Sequence, residues 1–337
     1  MKILSPIGTS EDIEILNPFK YDTEFFFGYL PDWWVEKYNK GIGLKGDIRV
    51  LSTPLNNRND IKANVRDKNE VSKMIQLANN KSTKLFLVIN AKYYPDYVYD
   101  DLRRYLDEIY EMGIRHVICC DLGLIKKIEE LYPDMKVSVS CLNQVSNSSG
   151  VEFYKKIRNV DRIVFPRHMS SEEIIKIAEA HKELEFEYFI FSNKCIYDDG
   201  YCRGLHAFHP VCKDSYESKF YNCKLNEEIL GLRTVGEEFW SWTQNEKNAD
   251  ENKYCTPNFA CTACSLIKLV KIQNISTVKM SIRGHDVEER LRQVQMARMA
   301  IECAENEDLE GIKKAVSKMY GKDDLQIVTE PCITCAE

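Results

Sequence analysis

The sequence lacks any long hydrophobic run. No stretch approaches the roughly 18 to 20 consecutive apolar residues that a membrane-spanning helix needs. The opening residues, MKILSPIGTSEDIEIL, contain neither an apolar core nor a small-residue cleavage site of the secretory type. We therefore expect a cytoplasmic protein with no membrane span. Because disulfides seldom persist in that compartment, clustered cysteines are expected to bind metal or to react.

An excess of positive charge is also missing. The chain has 46 Lys and Arg against 52 Asp and Glu, a net charge of −6. This balance does not favour electrostatic binding of nucleic acid over a broad surface, although it is compatible with a local basic groove. The sequence also contains no His-Glu-x-x-His zinc motif, no Gly-x-Ser-x-Gly motif and no cysteine flanked by an obvious catalytic histidine. These absences argue against the common peptidase mechanisms.

The sequence does contain a regular alternation of short apolar runs and amphipathic helical stretches. The runs are rich in Val, Ile and Phe and mostly do not alternate with polar residues, which suits parallel strands buried on both faces. Eight such strands with intervening helices predict an α/β fold, a closed (β/α)8 TIM-like barrel. The predicted strands are Lys2–Leu4, Glu24–Tyr29, Lys84–Ala91, His116–Asp121, Lys136–Cys141, Arg162–Arg167, Glu185–Ser192 and Val278–Arg283.

Two helices show a clear apolar stripe, Asp100–Met112 and Val287–Ala304. A third helix is expected after Ser170-Ser171-Glu172-Glu173, which reads as a capping box. Residues 193–273, between the seventh and eighth strands, are too long for a simple connection. We interpret them as a cysteine-rich insertion at the C-terminal mouth of the barrel, where barrel enzymes keep their active sites. The predicted units are residues 1–192 with seven strands, the insertion 193–273, residues 274–320 with the last strand and C-terminal helices, and the tail 321–337.

The chain contains thirteen cysteines, and seven of them lie between Cys195 and Cys264. Among these seven, only Cys261-x2-Cys264 has the short spacing that a structural zinc site often uses. Cysteines spread over about seventy residues suit an iron–sulfur cube, which accepts ligands from separate loops. Zinc and free thiols are the alternatives. Four cysteines outside this region are expected to pack as small apolar residues: Cys119, Cys120, Cys141 and Cys303.

Polar residues stand at the C-terminal ends of several predicted strands. Arg167 and Arg283 are expected to point into the barrel mouth, where a guanidinium group can hold a carboxylate or phosphate. Lys279 could do the same, or act as an acid if burial lowers its pKa. Asp121 is a candidate general base or orienting group. For each of them, a salt bridge that closes the barrel rim is the alternative.

Two further patterns are interpreted as structural. The aromatic residues Phe25-Phe26-Phe27 and Trp33-Trp34 are expected to belong to the core, with ring stacking on a substrate as the alternative. The run Asn56-Asn57-Arg58-Asn59 is expected to be a solvated polar loop, with an anion contact as the alternative.

The stretch from Tyr110 onward resembles the collagenase-like proteins of peptidase family U32. Its motifs share a pattern of polar residues at strand ends followed by spaced cysteines. They are Asp121 with Gly123, Ser140 with Asn147, Arg167 before Ser171-Glu172-Glu173, Cys195 with Gly200 and Cys202, and Cys264 before Lys279 and Arg283. The chain departs from the family pattern at His168 and at Ser281, which stand where the family has an acidic residue and part of a Glu-Gly pair.

This resemblance implies a (β/α)8-like barrel with a 4Fe–4S cluster on four cysteines. Better-understood members resemble oxygen-independent hydroxylases of an RNA base or of a quinone precursor, and prephenate is the oxygen donor suggested for some. For this chain it implies Cys195, Cys202, Cys223 and Cys264 as ligands, with Cys212 and Cys261 as alternates. A heterodimer with another family member is compatible with the resemblance, and no electron donor is indicated.

Together, these observations predict a cluster-dependent hydroxylase, or a related redox enzyme, that acts on a small molecule or peptide. The acidic net charge favours that substrate class over RNA. Three alternatives remain at this point: a tRNA or rRNA base hydroxylase of the same family, a peptidase, and a non-catalytic protein that transfers electrons or senses oxygen. A basic stripe around the barrel mouth would favour RNA.

Overall fold

The computed structural model describes residues 1–17, 23–38, 54–58, 63–167, 169–190, 263–280 and 282–319. The strands within these residues are β1 (Lys2–Pro6), β2 (Thr23–Tyr29), β3 (Asn64–Val65), β4 (Leu85–Ile89), β5 (His116–Cys119), β6 (Lys136–Val139), β7 (Val160–Val164), β8 (Glu185–Phe189) and β9 (Ile275–Lys279). The helices are α1 (Ser10–Leu16), α2 (Asp32–Tyr38), α3 (Lys68–Asn80), α4 (Tyr99–Glu111), α5 (Leu122–Leu131), α6 (Ser148–Tyr154), α7 (Ser171–Ala180), α8 (Leu266–Leu269), α9 (Val287–Glu305) and α10 (Leu309–Met319), with 3₁₀ turns at Asp96–Val98 and Cys141–Asn143.

Eight of the strands form a closed parallel barrel. Their order is β1-β9-β8-β7-β6-β5-β4-β2, and β1 also pairs with β2, which closes the ring. The two-residue strand β3 adds to β2 alone. All eight predicted strands are present, so the predicted (β/α)8 TIM-like barrel is confirmed. The strands predicted as seventh and eighth are β8 and β9. Burial on both faces explains the continuous apolar runs, because helices cover the outside and side chains fill the inside.

The last strand lies earlier in the sequence than predicted. Strand β9 covers Ile275–Lys279, whereas the apolar pattern predicts Val278–Arg283. The reason is pairing with β1, whose register ends at Leu4 opposite Lys279. Arg283 therefore lies in the loop after β9, and Arg167 lies three residues beyond the end of β7 at Val164.

The helical layer follows the predicted stripes. Helix α4 buries Leu102, Tyr105, Leu106 and Ile109 against the outer faces of the strands. Helix α9 buries Val294, Ala297 and Ile301. The capping box at the start of α7 is present, because the Ser170 hydroxyl accepts from Glu173 N and the Glu173 carboxylate accepts from Ser170 N. In the described residues, no helix is long and apolar enough to cross a membrane.

The predicted insertion ends in the core of the fold. Residues 263–273, its last part, include Ala263, Leu266 and Leu269, which are fully buried in the main hydrophobic core. The Lys268 ammonium lies 3.1 Å from the Glu172 carboxylate in the first turn of α7. Helices of such a barrel run antiparallel to the strands, so this contact places the start of α8 on the mouth side. Residues 191–262 and the predicted tail 321–337 lie outside the described residues.

Candidate functional site

Two of the four predicted site residues meet over one aromatic ring at the barrel mouth. The Arg167 guanidinium carbon lies 4.5 Å from the centre of the Phe189 ring, and the Lys279 ammonium lies 5.9 Å from the same centre. The Lys279 ammonium also lies 4.7 Å from the Phe26 ring. A cation is attracted to the negative face of an aromatic ring, so these rings help to position both cations at the mouth. Arg167 and Lys279 thus form one cationic group.

A buried carboxylate lies directly beneath Lys279. Glu187 Oε1 accepts a 2.8 Å hydrogen bond from Lys279 Nζ, and its other oxygen lies 3.2 Å from the Arg162 guanidinium. The Glu187 side chain is fully buried inside the barrel. A carboxylate between two cations at these distances orients both of them. Glu187 therefore fixes the position of the Lys279 ammonium group in the mouth.

Arg162 is the centre of an ion-pair network inside the barrel. Its guanidinium bonds to Glu24 at 2.7 Å and to Glu187 and Glu185. Burial by itself lowers the pKa of Arg162, but the attraction of Glu24 and Glu187 outweighs burial and raises it. Burial likewise opposes ionisation of Glu24, and Arg162 outweighs that effect, so the pKa of Glu24 is lowered. Arg162 and Glu24 are consequently charged at neutral pH.

The remaining arginine of the predicted site is clamped on the other side of the mouth. Arg283 donates a 2.7 Å hydrogen bond to Asn56 Oδ1, and Asn56 Nδ2 donates to Asn64 Oδ1 at 2.8 Å. Asn64 in turn donates to the backbone carbonyl of Arg58 at 2.6 Å, and Arg58 donates to the carbonyl of Arg283. This closed set of bonds fixes the Arg283 guanidinium by neutral amides. The geometry corrects the interpretation of the Asn56 run as a solvated loop, because Asn56 is only 1% exposed.

A glycine makes room for this clamp. A Cβ atom on Gly28 of β2 would lie 2.1 Å from Asn64 Oδ1 and 3.1 Å from both an Arg283 nitrogen and Asn56 Nδ2. Real side chains do not tolerate the first of these distances, so only glycine allows the amides to approach the strand.

Asp121 has a local structural role. It is the N-cap of α5, and its carboxylate accepts from Leu124 N at 2.7 Å, from Tyr94 N at 3.2 Å and from the Tyr99 hydroxyl at 3.3 Å. Burial, followed by the nearby Asp121 charge, raises the pKa of Tyr99 to about 12. Three donors on one carboxylate hold the loop after β4 against the start of α5. The role of Asp121 as a general base stays a prediction.

The cysteines near the mouth are buried among apolar side chains. Cys120 and Cys141 pack with Leu142, Val164 and Phe189, and the Cys120 thiol lies 3.3 Å from the Asn143 amide oxygen. Burial raises the pKa of Cys120 to about 12. Cys119, on the outer face of β5, is fully buried. The expectation that these three cysteines pack as apolar residues is confirmed, while Cys303 is half-buried against the core.

The predicted cluster ligands fall mostly outside the described residues. Cys264 is half-buried and packs against the core at the start of α8, on the mouth side of the molecule. The other candidates, Cys195, Cys202, Cys212, Cys223 and Cys261, lie in the part that is not described. Within the described residues, no group of three or more His, Cys, Asp or Glu side chains could hold a metal ion. Four thiols are the donor set that an iron–sulfur cube takes, and Cys264 is the predicted ligand that lies among the described residues. The cluster and its ligands stay predictions.

Several residues of this site were not found from the sequence. Glu187, Phe189 and Gly28 were not singled out, and Asn56 was noted only as part of a polar loop, although one signal was available for Glu187. Glu185 and Glu187 alternate with Phe186 and Tyr188 in a run predicted as a buried strand. A carboxylate that faces the inside of a barrel requires a buried cation, so this alternation could have indicated the pairs with Arg162 and Lys279.

Five cationic side chains therefore lie around the mouth: Arg58, Lys92, Arg167, Lys279 and Arg283. Lys92 follows β4 and is close enough to the Cys120 thiol to lower its pKa against the effect of burial. Two carboxylates lie in the same region: Asp121, which caps α5, and Glu187, which lies below Lys279. Cationic side chains thus cluster at the mouth of a chain whose net charge is −6.

The family model of peptidase family U32 matches residues 51–328, most of the chain. The chain belongs to this family. The resemblance seen in the strand-end and cysteine motifs is therefore confirmed.

Known U32 relatives match shorter parts of the chain. The tRNA hydroxylation protein P1 of Bacillus subtilis (strain 168) is 26% identical over 146 residues, which is 43% of this chain and 33% of that protein. The tRNA hydroxylation protein P of Escherichia coli (strain K12) is 30% identical over 99 residues, 29% of this chain and 22% of that protein. The matched part thus spans about a third and about a fifth of the length of these relatives. A solved U32 peptidase structure aligns with a TM-score of 0.45 and 14% identity, covering 65% of this chain and 84% of that one.

Proposed function

We propose that this U32 protein is an oxygen-independent hydroxylase of a base in RNA, with tRNA as the substrate class. The basic mouth carries this proposal, because phosphate groups provide most of the electrostatic affinity of RNA and require converging cations. Membership of the family and the names of the two tRNA hydroxylation relatives support it further. We prefer it to the small-molecule or peptide substrate that the acidic net charge favours, since the local charge at the mouth opposes the average charge of the chain.

Different residues of the mouth would bind such a substrate from different sides. Arg167 and Lys279 bind a phosphate or carboxylate above Phe189, and Glu187 keeps Lys279 in place. Arg283, held by Asn56, binds from the opposite side with its direction fixed in advance. Polar groups that are oriented before binding lose little entropy when the substrate arrives, which improves affinity and alignment.

We further propose that a 4Fe–4S cluster on Cys195, Cys202, Cys223 and Cys264 lies beside the mouth. When bound on four cysteines, such a cluster has no open iron position and would supply electron transfer. An organic acid that carries a hydroxyl group, of the prephenate type, would donate the oxygen atom and be reduced as the base is oxidised. Arg167 and Lys279 are suited to hold the carboxylate of such a donor. The mouth thiols Cys120 and Cys141 are buried and do not compete as ligands.

The geometry counts against a cysteine peptidase among the described residues. A cysteine nucleophile needs a lowered pKa and a nearby base. At the mouth the pKa of Cys120 is instead raised to about 12, and the thiol faces an asparagine amide.

The decisive experiment measures oxygen incorporation into RNA. The full-length protein, prepared without oxygen, is incubated with bulk tRNA, a reductant and prephenate, and the digested nucleosides are analysed by mass spectrometry. We expect one nucleoside to gain one oxygen atom. The variants Arg167→Met and Lys279→Met should lower this yield by tenfold or more, because each removes a charged contact worth about 1.5–3 kcal/mol.

The matched control is Lys84→Met, which removes a cation at the opposite end of the barrel, 3.8 Å from Glu185. It should leave the yield unchanged. Oxygen added to a small molecule or a peptide but to no RNA nucleoside would contradict the proposed substrate. Iron and sulfide counts test the cluster separately, and stoichiometric zinc without iron would contradict it. Single Cys→Ser variants at 195, 202, 223 and 264 should each lower the iron content.

A further inference from the structure

Among the described residues, five large hydrophobic side chains are exposed, and three of them lie on one side of the barrel mouth. Tyr93 and Tyr97 follow β4, and Leu122 follows β5. Phe153 lies near the C-terminal end of α6, where the neighbouring Glu152 contacts His181 at the end of α7. The fifth, Leu309, starts α10 at the opposite end of the barrel, close in sequence to Glu307, which pairs with Lys271 before β9. Clustered exposed apolar groups mark interaction surfaces more often than scattered ones do.

The two tyrosines are the most exposed of these, at 75% and 72%, yet the loop that carries them is anchored. Tyr94, between them, is buried and donates from its hydroxyl to the Leu55 carbonyl at 2.6 Å, and its backbone N–H donates to Asp121. The 3₁₀ turn Asp96–Val98 and the Tyr99–Asp121 hydrogen bond fix the other end. Two rings held in water on an anchored loop are prepared to stack on a ligand at low entropic cost.

This surface, which we call the tyrosine rim (Tyr93 and Tyr97), is continuous with the candidate active site. Lys92 precedes Tyr93 and lies near the Cys120 thiol. Cys120 packs in the same cluster as Phe189, the ring beneath Arg167 and Lys279. The rim therefore borders the basic mouth, so one ligand can contact both.

Acidic side chains on the tyrosine rim argue against contact between the rim and RNA phosphates. Asp96 and Asp100 are exposed on the same loop and first helical turn. Carboxylates there repel phosphate, so the rim is unsuited to bind the RNA backbone. Aromatic rings stack on any base, and only single-stranded RNA offers bases whose faces are free.

We propose that the tyrosine rim stacks unpaired bases of a single-stranded RNA loop whose phosphates the mouth cations bind. This inference rests on the proposed function and deepens it, because it makes the substrate an RNA loop and not a paired stem. The rim contributes base stacking and the mouth contributes charge, so the two contributions respond differently to salt. Each cationic contact with a single strand adds about 0.7 to the slope of log affinity against log salt, whereas stacking adds nothing.

The test measures the affinity of two RNA probes for the full-length protein over a range of salt concentrations. One probe is a stem with an unpaired loop, and the other is a fully paired duplex of the same length. We expect the double variant Tyr93→Ala with Tyr97→Ala to weaken stem-loop binding by about tenfold or more, with the salt slope unchanged. The duplex should be unaffected. Tyr93→Phe with Tyr97→Phe, which keeps both rings, should bind within about twofold of the unaltered protein.

Leu309→Ala is the matched control, since it truncates an exposed apolar side chain at the other end of the barrel, and it should change neither affinity. Arg167→Met should instead flatten the salt slope.

The inference is overturned if the unaltered protein binds the stem-loop and the alanine double variant binds it equally well. It is also overturned if the phenylalanine variant is as weak as the alanine variant, or if the alanine variant alters only the oligomeric mass, which would make the rim a protein interface. Absence of RNA binding by the unaltered protein would overturn the proposed function as well.

Discussion

Two buried arginines of this barrel have opposite kinds of partners. Arg162, inside the barrel, is bound by the carboxylates of Glu24, Glu185 and Glu187. Arg283, at the mouth, is held by the neutral amide of Asn56, which is itself held by Asn64. Carboxylates offset the charge of an arginine, whereas an amide fixes its direction without adding a negative charge. The interior arginine therefore serves the fold, and the mouth arginine is suited to a ligand.

The largest expected effect is the loss of stability when the interior arginine, Arg162, is replaced. Arg162→Met leaves Glu24 and Glu187 buried without their shared cation, which should lower the free energy of unfolding by about 3–5 kcal/mol. Chemical denaturation monitored by circular dichroism measures this change. Arg103→Ala, which breaks an exposed pair with Asp107, should cost less than about 1 kcal/mol. Equal effects of the two substitutions would show that the interior network is not structural.

The next largest expected effect concerns the pH dependence of stability, and it comes from His116, a neutral residue beside this network. Burial, with help from Lys84, lowers the pKa of His116 from its ordinary value of 6.5 to about 4. As pH falls from about 6.5 towards 4, the unfolded chain takes up a proton that the folded protein refuses, so stability is lost in that window. The loss should be about 3 kcal/mol.

The variant His116→Gln cannot take up this proton. The loss of unfolding free energy between pH 7 and pH 4 should therefore be smaller in the variant by about 3 kcal/mol. The lowered pKa values of Glu24 and Glu185 remove stability at lower pH in both proteins and largely cancel in the difference. Parallel pH profiles of the two proteins would contradict the burial of a neutral His116.

A smaller effect concerns the mouth half of the comparison. Gly28→Ala places a Cβ atom against Asn64 and should displace the amides that orient Arg283. We expect a loss of about 1–3 kcal/mol in unfolding free energy and a weaker affinity for the RNA stem-loop. Gly8→Ala is the control, because its Cβ atom would meet nothing closer than 3.7 Å. Unchanged RNA affinity in Gly28→Ala would separate Arg283 from substrate binding.

The smallest effect separates the two roles of Asp121. Asp121→Ala removes the cap of α5 and should cost about 1 kcal/mol, whereas Asp121→Asn keeps a side-chain oxygen and should cost little. Only the carboxylate can act as a general base. Hydroxylation that survives in Asp121→Asn but falls in proportion to stability in Asp121→Ala would assign a purely structural role.

The sequence predicted the barrel better than it predicted the site. The apolar runs identified all eight barrel strands, because a strand buried on both faces must be apolar along its length. Capping at Ser170 and the apolar stripes of α4 and α9 were also predicted, since these depend on residues close in sequence. Strand ends were less accurate, because pairing with a neighbouring strand decides where β9 stops.

The site was also only partly predictable, because contacts between distant parts of the chain decide its geometry. The sequence indicated Arg167, Lys279, Arg283 and Asp121 as strand-end residues, but not which of them would meet. Phe189 brings two of them together, Asn56 holds the third, and Leu124 N engages the fourth as a cap. Asn56 is 227 residues from Arg283 along the chain, so no local pattern could reveal their contact.

The sequence by itself therefore determined the barrel, the family and the residues able to carry charge at its mouth. The tertiary structure alone decided which charges lie next to one another and which cations gather at the mouth. The physical reason is that the energy of a charge depends on the groups within a few ångströms of it, and here those groups come from distant strands. Glu187 and Arg162 lie on neighbouring strands but 25 residues apart, and Glu24 is 138 residues from Arg162. Composition gives an acidic chain, and folding gives it a basic mouth.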